Sequence, residues 1–165
     1  MRYQTWSYRF AEQVMNSKLD LKREIEDTIR EIELPRQAFS RPALNKEIER
    51  RLVGRGWSGQ PKVMEEEIEA RLDFQKDRIG VEVAFSHSSF IGIDLLKFQT
   101  MSYSGLDRID VGVYVVVTSE FLNKLIRQYK QKWSGSLTFE KVTKYLPLFR
   151  SAIQVPIYVI GLDEA

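Results

Sequence analysis

Residues 111–117, VGVYVVV, form an unbroken apolar run. A strand with one wet face alternates apolar and polar residues. This one does not, so it needs cover on both faces and reads as a central strand of a sheet with parallel neighbours. The cover must come from helices, and the chain supplies them. In 19–34, Leu21, Ile25, Ile29 and Ile32 make one apolar stripe, with Ser17 or Asp20 as cap and Pro35 as terminator. Its outer face carries Lys22–Glu26 and Glu26–Arg30 at a spacing of four. Residues 41–53 place Leu44, Ile48 and Leu52 on one face, with Ser40 as N-cap, Pro42 in the first turn and Gly54 as stop. A helix over about 88–102 buries Phe90, Ile91, Leu95 and Phe98. Thr118 and Ser119 cap another over 120–133, and 138–151 predicts a further one interrupted at Pro147. VPIYVIG, 155–161, reads as the last strand. Near the N-terminus, Tyr3, Trp6, Phe10 and Val14 stand at helical spacing and predict a short helix within 3–16. Strand–helix alternation after residue 79 implies right-handed crossovers. The expectation is one α/β domain over 1–165: a mixed sheet flanked by helices as the core over 40–165, with a helical N-terminal extension over 1–36.

Composition narrows the chemistry. With 165 residues the chain suits a single domain with a sizeable core. It has no cysteine and one histidine, which excludes disulfides, thiolate sites and multi-histidine zinc centres. A bound metal is therefore expected to be a hard cation held by carboxylates. Lys plus Arg total 25 against 23 Asp plus Glu, a net charge of +2 that by itself demands no nucleic-acid partner. No apolar run is long enough for a transmembrane helix, and MRYQTWSYRFAEQ lacks the apolar core of a signal peptide. A cytoplasmic protein without membrane contact is the expectation.

The candidate chemistry lies in LDFQKDRIGVEVAF, residues 72–85. Two apolar stretches, Arg71–Phe74 and Ile79–Phe85, flank the polar turn Gln75–Arg78 and predict a β-hairpin. Asp73 is on the first strand and Glu82 on the second. Strand alternation puts both on one face, with Ala84 two residues beyond Glu82 on the same face. An acid buried in such a strand costs several kcal/mol unless a cation or several donors compensate it, so the pair suggests a metal site. Phosphodiester hydrolysis needs that kind of site: carboxylates for a divalent metal, and often a lysine near the attacking water.

The segment LDFQKDRIGVEVAFSHSSFIGIDLLKF, residues 72–98, resembles the core of PD-(D/E)xK nucleases, and BglII-type restriction endonucleases in particular. In that family an Asp is followed nine residues later by Glu, and two later by a polar residue; Asp73, Glu82 and Ala84 occupy those places here. The stretch IDVGVYVVV, 109–117, is also similar, and the resemblance covers about 45–120. It implies a restriction-endonuclease-like fold, Mg²⁺- or Mn²⁺-dependent cleavage of double-stranded DNA, and a two-fold homodimer. It makes Asp73 and Glu82 metal ligands. Ala84 departs from the family, which carries Lys, Glu or Gln there. Lys97, on the following helix, is a candidate replacement, since some superfamily members displace the lysine to that helix; Lys76 in the turn is another candidate, expected to face solvent. Glu47 is the preferred additional acid from the preceding helix, with Glu49 and Glu67 behind it. Arg36, Arg41, Arg55, Lys62, Ser88 and Arg108 are candidate phosphate contacts. The alternatives are an inactive nuclease-fold protein that binds DNA or protein, kept open by Ala84, and an interaction domain that docks a partner on its helical N-terminal third.

Overall fold

The computed structural model describes residues 1–35, 38–61, 71–103 and 107–164. Six strands form one sheet: β1 (Arg2–Tyr8), β2 (Ser58–Gly59), β3 (Phe74–Lys76), β4 (Ile79–Val83), β5 (Val111–Val117) and β6 (Ile157–Asp163). Their order is β1-β6-β5-β4-β3-β2. β4, β5 and β6 run parallel, as the connecting helices require, while β1 and the β2–β3 pair join antiparallel at the two edges.

The run that sets the fold behaves as its pattern demands: all seven residues of β5 are buried. Val113, Val115 and Val117 enter one hydrophobic layer and Tyr114 and Val116 the other. The first layer is roofed by α1 (Ala11–Ser17), α2 (Leu19–Arg30), α3 (Arg41–Gly54) and α5 (Ser119–Arg127), through Met15, Ile25, Ile29, Ile48 and Phe121. The second is roofed by α4 (Ile91–Tyr103) and α6 (Phe139–Tyr145), through Leu95, Phe98, Met101 and Val142. Among the described residues, no helix is long and apolar enough to cross a membrane.

Several boundaries differ from the sequence expectation. The predicted helix over 3–16 divides: Arg2–Tyr8 is a strand and only Ala11–Ser17 is helical. The aromatics at positions 3 and 6 mimic a helical period, but seven residues pair in register with β6, from Arg2↔Asp163 to Tyr8↔Ile157. The ladder outweighs the weak local helix preference, since a helix of this length has little stability of its own. The N-terminal region is thus helical only from Ala11, and its first strand is part of the sheet. The hairpin turn is shorter than expected, because Gln75 and Lys76 continue β3 and only Asp77 and Arg78 turn, both at positive φ. α5 ends at Arg127 rather than 133, and the helix expected over 138–151 is α6 followed by a 3-10 turn, Leu146–Phe149, at the proline.

Candidate active site

The β3–β4 hairpin brings the two acids together through its register. Phe74 pairs with Val81 and Gln75 with Gly80, so one step further Asp73 stands opposite Glu82. The Asp73 backbone N–H donates to the Val81 carbonyl at 3.1 Å, and its Oδ2 accepts from the Val83 N–H at 2.7 Å. The side chain is thereby pinned across the strand end. Glu82, 6% exposed, is a register partner of Tyr114 on β5.

Lys97 closes the arrangement. From the inner side of α4 its Nζ donates to Glu82 Oε1 at 2.6 Å and lies 3.4 Å from Asp94 Oδ1. Asp94 is as buried as Glu82, and its Oδ2 accepts from the Tyr114 hydroxyl at 2.8 Å. The other oxygen of Glu82, Oε2, is buried with no hydrogen-bond partner. A buried carboxylate oxygen in that state is unfavourable by about 1–3 kcal/mol or more, so the position calls for a proton or a cation.

The electrostatics agree. Burial pushes the Glu82 carboxyl up to about 8, with the charges of Asp73 and Asp94 adding to it and Lys97 opposing. Burial also raises Asp73, against the Val83 N–H and Lys97, with Asp94 and Glu49 reinforcing the rise. Burial disfavours the Lys97 ammonium, but its bond to Glu82 and the charges of Glu82 and Asp94 outweigh this and raise it. Among the described residues no group of three or more His, Cys, Asp or Glu side chains is gathered as a metal cage. The site is two carboxylates and an ammonium, with Asp94 behind.

Asp73 lines a cleft of about 160 Å³ together with Asn45, Glu49, Gln60, Phe74 and Val83. α3 therefore contributes to the site, but through a different acid from the one preferred from sequence. Glu47 is turned away: Arg50 bonds it at 2.7 and 3.0 Å and Arg51 at 2.6 Å. Those bonds, Arg50 first, hold it down to about 2. Leu44, Ile48 and Leu52 fix the buried side of α3. Asn45 and Glu49, one turn apart, reach the cleft from beside that stripe, whereas Glu47 does not. Lys76 does not face solvent either; its Nζ donates to both oxygens of Glu24 and to the Arg55 carbonyl, the last at 2.7 Å.

The candidate phosphate contacts separate. Arg36, Lys62 and the reserve acid Glu67 lie outside the described residues. Arg55 pairs with Glu31 at 2.8 Å. Arg41 donates to the Ser136 hydroxyl at 2.7 Å and stacks over Trp133 at 5.5 Å, with its Nε buried and unpartnered. Ser88 opens the 3-10 turn before α4, with its N–H on the Gly135 carbonyl at 2.8 Å. Arg108 sits beside the hairpin, where its carbonyl accepts from Gln75 Nε2 at 3.1 Å. Asp94, Tyr114, Asn45 and Gln60 belong to the site and were not singled out from sequence. Asp94 carried a usable signal, an acid within the apolar run FIGIDLLKF.

Paired acids at the end of a hairpin, fused to parallel strands between two helical layers, define a restriction-endonuclease-like protein. The chain belongs to the BglII/BglIII restriction endonuclease family, whose model matches residues 3–162. Among solved structures it is similar to that of restriction endonuclease BglII complexed with a DNA 16-mer, at 20% identity and a TM-score of 0.79, covering 100% of this chain and 79% of that one. Among curated proteins, none matches it in sequence.

Proposed function

We propose that this chain is a divalent-metal-dependent endonuclease that hydrolyses phosphodiester bonds of double-stranded DNA, of restriction type, with Asp73 and Glu82 as metal ligands and Lys97 as the third active-site group. The observation that carries it is the contact of Lys97 with Glu82 at 2.6 Å, beside a Glu82 oxygen that is buried and unpartnered. Ala84 is the feature that favoured an inactive protein, and the ammonium delivered from α4 supports the active reading instead.

The donor set suits Mg²⁺ or Mn²⁺. Both prefer oxygen ligands, and Mg²⁺ is commonly held by one or two carboxylates while it retains water. Two desolvated acids whose carboxyls are raised gain by having a divalent charge beside them. When bound, the cation supplies Lewis acidity toward the phosphate. The chain's own groups do the rest. The Val83 N–H keeps the Asp73 carboxylate at the cleft wall. Glu82 presents its unpartnered oxygen. Lys97 holds a positive charge and N–H donors next to them, placed to orient a water or to stabilise charge building on the phosphate. Glu49 takes the part of the additional helix acid, because it lines the cleft with Asp73 and Glu47 does not.

A homodimer is part of the same reading. The outer face of α4 exposes Ile93, Leu96 and Tyr103, 56%, 55% and 60% accessible, and Phe149 lines an apolar groove with Leu96. A stripe of this kind on a soluble domain marks an interaction surface. A self-complementary contact would match the two-fold symmetry of a palindromic site.

The test is incubation of supercoiled and linear DNA with the protein in Mg²⁺ or Mn²⁺. Cleavage is expected for the wild type. Asp73→Asn and Glu82→Gln are each expected to lose at least 10³-fold in rate, with folding retained. Cleavage unchanged in both variants would reject this site.

A further inference from the structure

The position two residues beyond Glu82 is Ala84, so any ammonium at this site has to come from a long side chain on a different element. A lysine has four rotatable bonds, and confining it is opposed by side-chain entropy. Glu82 alone is a poor anchor if it is also to serve a cation. The structure provides a second anchor. Asp94 is on the same helix, three residues before Lys97, and faces the same way, with its Oδ1 3.4 Å from Nζ. Asp94 is itself immobilised: 6% exposed, it accepts from the Tyr114 hydroxyl at 2.8 Å. Tyr114 is completely buried, packs edge-on against Phe98 at 5.9 Å, and is the register partner of Glu82 on the adjoining strand. The chain Glu82–Lys97–Asp94–Tyr114 thus returns to the sheet beside its starting point.

We infer that Asp94, fixed by Tyr114, is a positioning residue that seats the Lys97 ammonium at the active site. The inference rests on the proposed nuclease reading and adds to it a carboxylate and a phenol that touch neither DNA nor cation. Asp94 gives Lys97 a place to bond while the Glu82 carboxylate is engaged elsewhere. Tyr114 holds the Asp94 carboxylate in place through its bond to Oδ2. The bond runs from the phenol to the carboxylate, so Tyr114→Phe removes one donor and leaves the packing on Phe98 in place. Asp94→Asn keeps the shape and removes the charge.

Two readouts test this. The first is the ¹⁵Nζ–H signal of Lys97 in lysine-labelled protein, assigned by its disappearance in Lys97→Met. An ordered, slowly exchanging signal is expected in the wild type, shifted in Tyr114→Phe and lost to exchange in Asp94→Asn. The second is single-turnover DNA cleavage in Mg²⁺ beside DNA affinity in Ca²⁺. Loss of a supporting partner of this kind typically lowers activity 10–100-fold. Asp94→Asn is expected to fall in that range with unchanged affinity, and Tyr114→Phe by less than 10-fold. If Asp94→Asn does not fold, Tyr114→Phe carries the test alone. An unchanged Lys97 signal in the folded variants, or wild-type cleavage rates in both, overturns the assignment. A wild-type protein that cleaves no DNA overturns the nuclease reading instead, and the ammonium signal then still decides whether Asp94 and Tyr114 seat Lys97.

Discussion

Replacing Lys97 with Met keeps an unbranched side chain, one atom shorter, and removes the ammonium in contact with Glu82 and Asp94. The effect on stability without metal depends on pH in a way the structure dictates. The Glu82 carboxyl is raised from an ordinary 4.5 to about 8 in the folded protein, by burial first and then by Asp73 and Asp94. A raised carboxyl contributes stability that is complete below its unfolded value and is lost as pH rises through its folded value. At pH 6 Glu82 holds its proton, and the variant loses mainly hydrogen bonds to a charged group, about 1.5 kcal/mol. At pH 9 Glu82 is ionised and Lys97 is what compensates it. Removing one partner of a buried ion pair then destabilises by about 3–5 kcal/mol. A domain of this size shifts in Tm by about 2–4 °C per kcal/mol. The expected loss is therefore about 3–6 °C at pH 6 and about 12 °C at pH 9. The assay is thermal unfolding followed by circular dichroism in chelator at both pH values, with wild type in parallel. Equal losses at the two pH values, or none at pH 9, would refute the reasoning.

Other substitutions separate the roles of neighbouring residues. Glu49→Gln should reduce DNA cleavage about 10-fold, in the range of residues that support a metal site, whereas Glu47→Ala should leave the cleavage rate unchanged and lower Tm by about 2–4 °C per kcal/mol of a surface pair worth at most about 1 kcal/mol. Gly112→Ala places a Cβ 2.7–3.0 Å from three ring atoms of Phe98; overpacking of this kind typically destabilises by about 1–3 kcal/mol, read by denaturant unfolding, and should slow cleavage because Phe98 adjoins Lys97 on α4. Ile93→Glu combined with Leu96→Glu should turn a dimer into a monomer in analytical ultracentrifugation with little change in monomer unfolding; an unchanged sedimentation coefficient of a dimer would place the contact elsewhere.

What could be read in advance depended on whether the signal was periodic and local. The seven apolar residues of β5 and the stripe of α3 each stabilise one arrangement, and those elements lie where their patterns put them, whereas α2 starts as expected but ends at Arg30, short of Ile32 and of the expected 34. The Asp73–Glu82 pairing followed from hairpin alternation for the same reason. β1 was illegible because its partner, β6, is about 155 residues away and local spacing of its aromatics imitated a helix. The choice between Glu47 and Glu49 turned on which side of Leu44 and Ile48 each acid leaves the helix, and on Arg50 and Arg51 capturing Glu47. Periodicity alone does not rank those options. Asp94 and Tyr114 were missed because a supporting pair has meaning only once Lys97 is known to reach Glu82 across the sheet face.

α4 carries Lys97 on its flank, one turn after the exposed Ile93, with Asp94 turned toward the core and Leu96 toward the surface. In a site whose third group stood on β4 beside Glu82, the sheet alone would fix the spacing. Here the spacing is also a measure of where the helix lies. A helix rises 1.5 Å per residue, so sliding α4 by a single residue's rise is more than half the 2.6 Å separation of Lys97 and Glu82. One helix therefore carries both the exposed Ile93 and Leu96 and the residue that reaches Glu82, with no loop between them.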